Sequence, residues 1–235
     1  MRQRVLRNKE QINEENKQYI VPEPKTKKGN WHSLFADTFS ESAVNSCAED
    51  KGQDTLECYK QKKLFIEIGS GKGQFISNMA LVHPENLYLA CEGAINIYPR
   101  ILQKAGALKI RNLMLINEYI IDPSDYFDSG ELAGVYLNFS DPWPKTRDAH
   151  RRLTYVGKLN QYKEIMLPGT TLEFKTDNND LFDFSLEQVK LAGLELDRLT
   201  RDLHASEYAS ENIETEYEQK FAAEGKKINY FKIVF

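Results

Sequence analysis

The chain has few cysteines and no long apolar stretch. Its three cysteines, Cys47, Cys58 and Cys91, form no CxxC or Cys/His cluster, and an odd, scattered set is typical neither of a disulfide scaffold nor of a zinc site. Nowhere do eighteen apolar residues run together, and the N-terminal "MRQRVLRNKEQ" lacks the apolar core of a secretory signal. We therefore expect a cytoplasmic protein with no membrane segment and no metal site.

Outside the N-terminus, the chain has no overall excess of basic over acidic residues. Residues 1–30 hold eight basic against four acidic side chains, a net +4, although the whole chain carries −4. The sequence predicts a flexible basic arm over 1–30 and a single domain over 31–235, large enough at 41% hydrophobic content for one core. Such an arm fits a polyanion held by particular patches, and a solvated tail is the alternative.

Short apolar runs alternate with helix-length segments from residue 64 onward. The runs are "LFIEI", "LYLAC", "LMLIN", "GVYLNF", "TLEFK", "LELDRL" and "YFKIVF", and the helical segments lie at about 73–82, 94–105, 154–166 and 178–191. Strands alternating with helices predict an α/β fold with a mostly parallel sheet, whose ligands lie at the carboxyl ends of the strands. Residues 36–63, before the first strand, are expected to form a loop or short helix.

The first strand ends in a glycine-rich turn, "LFIEIGSGKGQF". Glu67 lies in the strand, and Gly69, Gly71 and Gly73 follow it, where glycine permits a tight turn and close approach of a ligand. Gln74 stands where a dinucleotide fingerprint needs its last glycine. The turn therefore favours a nucleoside without pyrophosphate, such as S-adenosylmethionine, and a purely structural turn is the alternative.

The next two strands also end in polar residues. Glu92 follows "LYLAC", where a carboxylate can accept from both ribose hydroxyls, unless it only stabilises a helix start. Asn117 follows "LMLI" and can both donate to and accept from an adenine edge, a role for which Glu118 competes.

The fourth strand leads into "NFSDPWPKTRDAHRR". Asp141 precedes Pro142-Trp143-Pro144, and two prolines fix the backbone beside this carboxylate. The alternative is a turn that Asp141 merely caps. The basic residues behind it could contact phosphates or form a solvated helix start; they are Lys145, Arg147, Arg151 and Arg152.

Two acidic positions near the C-terminus fit capping roles. Asp177 follows the fifth strand and could be the N-cap of the next helix, and Thr215-x-x-Glu218 matches a capping box.

Taken together, "EIGSGKG", "NFSDPWPKTR…RRL", "FKTDN" and "TEYEQKF" make the sequence resemble the bacterial tRNA (guanine-N7-)-methyltransferase family, from residue 31 to the C-terminus. The resemblance implies a Rossmann-like class I methyltransferase fold, with a seven-stranded sheet, helices on both faces and an antiparallel last strand. It also implies methylation of a guanine in the tRNA variable loop.

The same resemblance assigns roles to single residues. Glu67, Glu92, Asn117 and Asp141 would bind S-adenosylmethionine together with the turn glycines, and Asp141 would also be catalytic. Lys145, Asp177 and the segment from Thr215 to Glu218 would hold the guanine nucleotide. The arginines of the loop at 147, 151 and 152 would contact RNA.

Two departures from the family pattern concern the basic loop and the adenine site. The loop reads "KTRDAHRR" where the family usually has K-x-R-H-x-K-R-R, so Asp148 replaces a histidine and His150 a lysine. Asn117 stands where the family often has Asp. The alternatives are an amino-group methyltransferase and a non-catalytic RNA-binding module on the same fold. A monomer and a homodimer both remain open.

Overall fold

A seven-stranded sheet forms the centre of the computed structural model, which describes residues 8–43 and 55–235. The strands are β1 (Leu64–Ile68), β2 (Leu87–Cys91), β3 (Leu113–Ile116), β4 (Leu132–Asn138), β5 (Met166–Thr176), β6 (Glu195–Thr200) and β7 (Asn229–Val234). The α-helices of the described part are α1 (Lys9–Glu15), α2 (Trp31–Ala43), α3 (Thr55–Lys60), α4 (Gln74–Val82), α5 (Pro99–Ala107), α6 (Val156–Ile165), α7 (Asn179–Leu191) and α8 (Glu216–Ala223).

The strand order is β3-β2-β1-β4-β5-β7-β6. All pairs from β3 to β5 are parallel, and β7 runs antiparallel to both β5 and β6. The order reverses between β1 and β4, so right-handed crossovers place α4 and α5 on one face and α6 and α7 on the other. The predicted α/β class, strand number and antiparallel last strand are confirmed.

The buried strands of the structure coincide closely with the apolar runs that predicted them. "LFIEI" and "LYLAC" are strands over their full length, and every residue of β2, β3 and β4 is buried. A parallel sheet covered on both faces produces such continuous apolar runs. The helix expected from 94 begins only at Pro99, because proline fits the first turn of a helix and residues 96–98 form turns before it.

The region at 36–63 is more helical than expected. Helix α2 begins at Trp31 and includes the start of this region, and α3 lies just before β1. Residues 44–54 lie outside the described residues. Cys58 is disulfide-bonded, which the cysteine count did not predict, and Cys91 is a buried free thiol.

The N-terminal segment packs on the domain. Ile12, Tyr19 and Val21 are buried, and the Val21 N–H donates to the Leu115 carbonyl at 2.9 Å. Ile20 forms a parallel bridge with Leu115, so the segment lies along the free edge of β3. Residues 12–21 of the predicted arm are thus packed against the domain through their apolar side chains, and residues 1–7 of it lie outside the described residues. The division into an arm and one domain stays a prediction.

An insertion of 28 residues, 201–228, separates β6 from β7. It contains two short 3₁₀ helices, Leu203–Ala205 and Ala209–Glu211, and then α8. Leu203, Ile228 and Tyr230 form a second small core there. Among the described residues, no helix is long and apolar enough to cross a membrane, and none of their His, Cys, Asp and Glu side chains group as a metal site.

We predict that Tyr19→Ala lowers the free energy of unfolding by about 3 kcal/mol, because it removes a large side chain that is only 5% exposed. Glu10→Ala, at an exposed position of the same segment, should change it by less than about 0.5 kcal/mol. Urea unfolding of both variants measures the difference. Equal stabilities would show that the segment adds nothing to the core.

Candidate functional site

The glycine turn after β1 forms one wall of a small cavity. Gly69, Gly71 and Gly73 all have positive φ, at 80°, 56° and 74°, a conformation that glycine adopts without steric cost. A Cβ on Gly73 would lie 2.8 Å from Ile101 of α5, so this glycine also permits close helix packing. Gly69 and Gly71 have nothing within 4 Å of a built Cβ. Their backbone therefore remains approachable from the cavity.

Glu67 is the most deeply buried carboxylate of this cavity, with 2% exposure. Its Oε1 accepts from Asn138 Nδ2 at 2.8 Å, while Glu67 Oε2 and Asn138 Oδ1 find no hydrogen-bond partner in the part of the chain that the structure describes. Burial raises the pKa of the Glu67 carboxyl to about 7. Two buried acceptors without a donor fit the ammonium group of an amino-acid tail, which S-adenosylmethionine carries.

Glu92 is held at the end of β2 by two backbone donors. The Gly71 N–H donates to its Oε2 at 3.0 Å, and the Ala94 N–H donates to its Oε1 at 2.9 Å. Each oxygen keeps a second lone pair, so both could still accept from ribose hydroxyls. Burial raises the pKa of the Glu92 carboxyl, and the nearby charge of Asp141 raises it further. Asp141 therefore lies on the same side of the site as Glu92.

Hydrogen bonding favours Asn117 over Glu118 as the predicted adenine contact, and that role stays a prediction. Glu118 Oε2 accepts from the Tyr126 hydroxyl at 3.0 Å, so its carboxylate has a structural partner. Asn117 is half-buried, and its side chain has no hydrogen bond within the described part of the chain. The amide of Asn117 is the group free to contact an adenine edge.

The loop that carries Asp141 has a strained backbone. Phe139 and Trp143 have φ of 51° and 41°, and each such non-glycine residue costs on the order of 1–3 kcal/mol. Asp141 itself is exposed. A strained loop presenting an open carboxylate is typical of a functional site, and a turn-capping role for Asp141 has no hydrogen bond to support it within the described residues.

Arg152 holds this loop in place. Its Nε donates to the Pro142 carbonyl at 2.9 Å, and its Nη2 donates to the Trp143 carbonyl at 3.0 Å. Its guanidinium also lies 4.2 Å from the centre of the Phe184 ring. These contacts assign Arg152 a structural use that sequence reasoning missed, because it was expected to contact RNA.

The other basic residues of the loop face outward. Lys145, Arg147 and Arg151 are exposed. The Arg151 guanidinium stacks 3.7 Å from the centre of the Trp143 ring. Arg147 has only a long 3.9 Å contact with Asp148. These side chains are accessible to a polyanion.

Asp177 does not cap α7. The N-cap is Asn178, whose side chain accepts from the Leu181 N–H at 2.8 Å, so the capping prediction for Asp177 is wrong by one residue. Asp177 instead accepts from Lys226 Nζ at 3.3 Å. Lys226 in turn lies 4.1 Å from the centre of the Phe221 ring of α8. Asp177 is therefore a half-buried carboxylate that already has a cationic partner.

The expected capping box at the start of α8 is confirmed. The Glu218 N–H donates to the Thr215 hydroxyl at 2.9 Å, and Glu218 Oε2 accepts from the Thr215 N–H at 3.3 Å. Glu218 is fully buried and also accepts from Lys175, His204 and Asn212. It therefore organises the insertion, and direct contact with a base is not open to it in this arrangement.

The start of α8 closes the cavity opposite the glycine turn. The cavity measures about 50 Å³ and is lined by Glu67, residues 69–75, Asn138, Phe139, Thr215, Glu216 and Tyr217. Glu216 forms ion pairs with Lys72 at 2.9 Å and with Lys104 at 2.8 Å. The structure thus brings together Glu67, the three glycines and Thr215 around one cavity. It also pairs Lys72 of the glycine turn with Glu216 of the Thr215–Glu218 segment, a contact that the sequence did not predict.

Comparison with known proteins defines the class first. Residues 61–231 match the family described as "Putative methyltransferase". An antibiotic-related methyltransferase superposes with a TM-score of 0.55 at 17% identity, over 79% of this chain and 94% of that one. The 16S rRNA methyltransferase KamB gives 0.57 at 13% identity, over 79% and 95%. Both the fold of this chain and its family match are therefore those of a methyltransferase.

Curated relatives identify the family within the methyltransferases to which the chain belongs. The tRNA (guanine-N(7)-)-methyltransferase of Latilactobacillus sakei subsp. sakei (strain 23K) is 41% identical over 214 residues, 91% of this chain and 90% of that protein. The enzyme of that name from Lacticaseibacillus casei (strain BL23) is 47% identical over 167 residues, 71% and 78%. The chain belongs to the tRNA (guanine-N(7)-)-methyltransferase family.

We predict that affinity for S-adenosylmethionine rises between pH 6 and pH 8. Because the pKa of Glu67 is raised to about 7, the site loses a proton over this range and gains a carboxylate for the ammonium group. The raised pKa also affects the free energy of unfolding. The contribution of the protonated Glu67 to this free energy is complete below about pH 4.5 and is lost as the pH rises from there through 7.

Calorimetry at pH 6, 7 and 8 measures the effect on affinity. Glu67→Gln should bind more weakly at pH 8 and lose most of the pH dependence. 5′-Methylthioadenosine lacks the ammonium group and serves as the control, with little pH dependence in either protein. A Glu67→Gln protein that keeps the full pH dependence would exclude this carboxyl as its source.

Proposed function

We propose that this chain transfers the methyl group of S-adenosylmethionine to N7 of a guanine in the variable loop of tRNA. The names of its relatives support this activity, and the site supports the chemistry. The observation that carries the proposal is the open Asp141 carboxylate, whose loop is held by Arg152 and whose charge acts on Glu92 at the end of β2.

The reaction needs charge stabilisation more than proton transfer. S-adenosylmethionine supplies an electrophilic methyl group on a sulfonium. Guanine N7 is an acceptor with a lone pair and no proton, so no base has to remove one. Positive charge develops on the purine as N7 is methylated. An Asp141 carboxylate in a fixed loop stabilises that charge without reorganisation, which is electrostatic preorganisation.

The guanine must leave its helix or loop stack to reach this site. N7 faces the deep groove of A-form RNA, which side chains cannot enter, so local opening or extrusion is required. Beside the Asp141 loop, the Tyr217 side chain of α8 is 45% exposed, and its ring lies 6.4 Å from that of Phe139. We assign these rings to the wall against which the extruded base stacks, and we assign Asp177 to a polar contact with the base.

RNA affinity is assigned to the outward-facing basic residues. Lys145, Arg147 and Arg151 would contact phosphates, while the guanidinium of Arg152 holds the loop from within. Basic residues of the N-terminal segment are partly neutralised, since Lys25 pairs with Asp125 at 2.7 Å and Lys28 with Asp128 at 3.6 Å. The described arm is therefore a weaker polyanion site than its charge alone indicated.

Two other functions on this fold are less well supported. An amino-group methyltransferase would use Asp-Pro-Pro-aromatic, whereas Asp141 is followed by Pro-Trp-Pro. A non-catalytic RNA-binding module has no need of the glycine turn and the paired acceptors of Glu67 and Asn138. Tritiated methyl transfer to bulk tRNA with nucleoside analysis separates them, since only our proposal yields N7-methylguanosine. A cytoplasmic location and a monomeric or homodimeric state stay predictions.

We predict that Asp141→Asn lowers the single-turnover methylation rate about a hundredfold, because the loop keeps its shape but loses the charge. The rate is measured at saturating cofactor and tRNA across pH 6 to 9, with cofactor affinity determined separately. Asp148→Asn, in the same loop, is the matched control and should stay near the wild-type rate. A defect in Asp141→Asn that excess cofactor fully restores would reduce Asp141 to a binding residue.

We predict that Arg147→Ala weakens tRNA binding and reduces the slope of log K against log salt by about one, because one phosphate contact is lost. Arg152→Ala should instead lower the methylation rate through the loop and leave the salt slope near that of the wild type. Filter binding at several salt concentrations gives both slopes. An unchanged slope for Arg147→Ala would place this part of the loop away from the RNA.

A further inference from the structure

Three charged side chains meet at the rim of the glycine-turn cavity. Glu216, from the start of α8, places one carboxylate oxygen 2.9 Å from Lys72 Nζ and the other 2.8 Å from Lys104 Nζ. Lys72 belongs to the glycine turn, and Lys104 belongs to α5. One carboxylate thus bridges two ammonium groups from separate elements, and the group as a whole retains one positive charge.

This contact is more than a solvated surface pair. Glu216 is 28% exposed and the lysines are 31% and 40% exposed. Burial alone would raise the pKa of the Glu216 carboxyl, but the hydrogen bonds and charges of Lys104 and Lys72 hold it below its ordinary value. The two lysines therefore form a preorganised carboxylate-binding pair, and both Lys72 and Glu216 line the cavity.

The cavity contains complementary groups for a zwitterionic tail. Glu67 Oε2 and Asn138 Oδ1 are buried acceptors without donors, which suits an ammonium group, and the lysines at the rim suit a carboxylate. Its volume of about 50 Å³ is far below the roughly 300 Å³ at which small-molecule sites begin. The cavity would therefore take the amino-acid tail alone, with the nucleoside outside it on the side of Glu92 and Asn117.

We propose that Lys72 and Lys104 bind the α-carboxylate of S-adenosylmethionine and that Glu216 is the internal carboxylate which it replaces. The inference rests on the proposed function for the identity of the cofactor. An exchange of one carboxylate for another keeps both lysines paired, so it avoids leaving partly buried charges without partners. It also frees the start of α8 from the glycine turn, which links cofactor binding to the segment expected to meet the guanine.

Calorimetry with two ligands tests the exchange. The ligands are S-adenosylmethionine and its decarboxylated analogue, which keeps the ammonium group but lacks the carboxylate. Lys72→Met should weaken S-adenosylmethionine binding about tenfold, the value of one charged hydrogen bond, and change the analogue by less than roughly twofold. Glu216→Gln should tighten S-adenosylmethionine binding several-fold, because the competing charge is gone, and leave the analogue unchanged.

Glu224→Gln, at the C-cap of α8, is the matched control, since Glu224 pairs with Lys220 and Lys226 at 3.8 Å and is absent from the cavity lining. It should leave both affinities unchanged. Thermal unfolding of each variant confirms that α8 is still folded.

Equal weakening of both ligands by Lys72→Met would overturn the proposal, because Lys72 would then not discriminate the carboxylate. Weaker S-adenosylmethionine binding in Glu216→Gln would also overturn it, since Glu216 would then support the site instead of competing for it. Wild-type protein that binds S-adenosylmethionine with these dependences but forms no N7-methylguanosine in tRNA would refute the proposed function and leave this inference standing.

Discussion

The buried ion pair between Lys175 and Glu218 joins the insertion to the sheet. Lys175 lies on β5, Glu218 lies on α8, and their side chains are 4% and 0% exposed at a separation of 3.3 Å. Removing one partner of such a pair typically costs about 3–5 kcal/mol, because the other charge stays buried. His204 and Asn212 complete the set of donors to Glu218. This carboxylate therefore helps to fix the position of α8, and with it one wall of the cavity.

The central strands were predictable because the features that define them lie within short stretches of the sequence. A parallel strand buried on both faces is a short apolar run, and β1 to β4 have that pattern with turn residues at their ends. The N-terminal segment has no such pattern. Ile12 stands alone among polar and charged residues, and Tyr19-Ile20-Val21 is an apolar run of only three residues. Their burial depends on pairing with the edge of β3, which only the folded sheet provides.

The site was predictable to the extent that it lies at strand ends. Parallel topology places the ends of β1, β2 and β4 at one edge, which brings Glu67, Glu92 and Asp141 together. Contacts between distant segments were not predictable: Lys72 meets Glu216 across 144 positions of sequence. The structural role of Arg152 was not predictable either. Its partners are the backbone carbonyls of Pro142 and Trp143, and a sequence does not show which carbonyls a side chain will contact.

The two ends of the sheet differ in how they are protected from other chains. An open strand edge is a template for pairing with a second molecule and so for aggregation. Residues 20 and 21 cover the edge at β3. At the other end, β6 carries Glu195, Asp197 and Arg198 and remains mostly exposed, so charge discourages pairing there. A chain shortened before residue 22 would therefore leave the edge of an apolar strand open to other molecules.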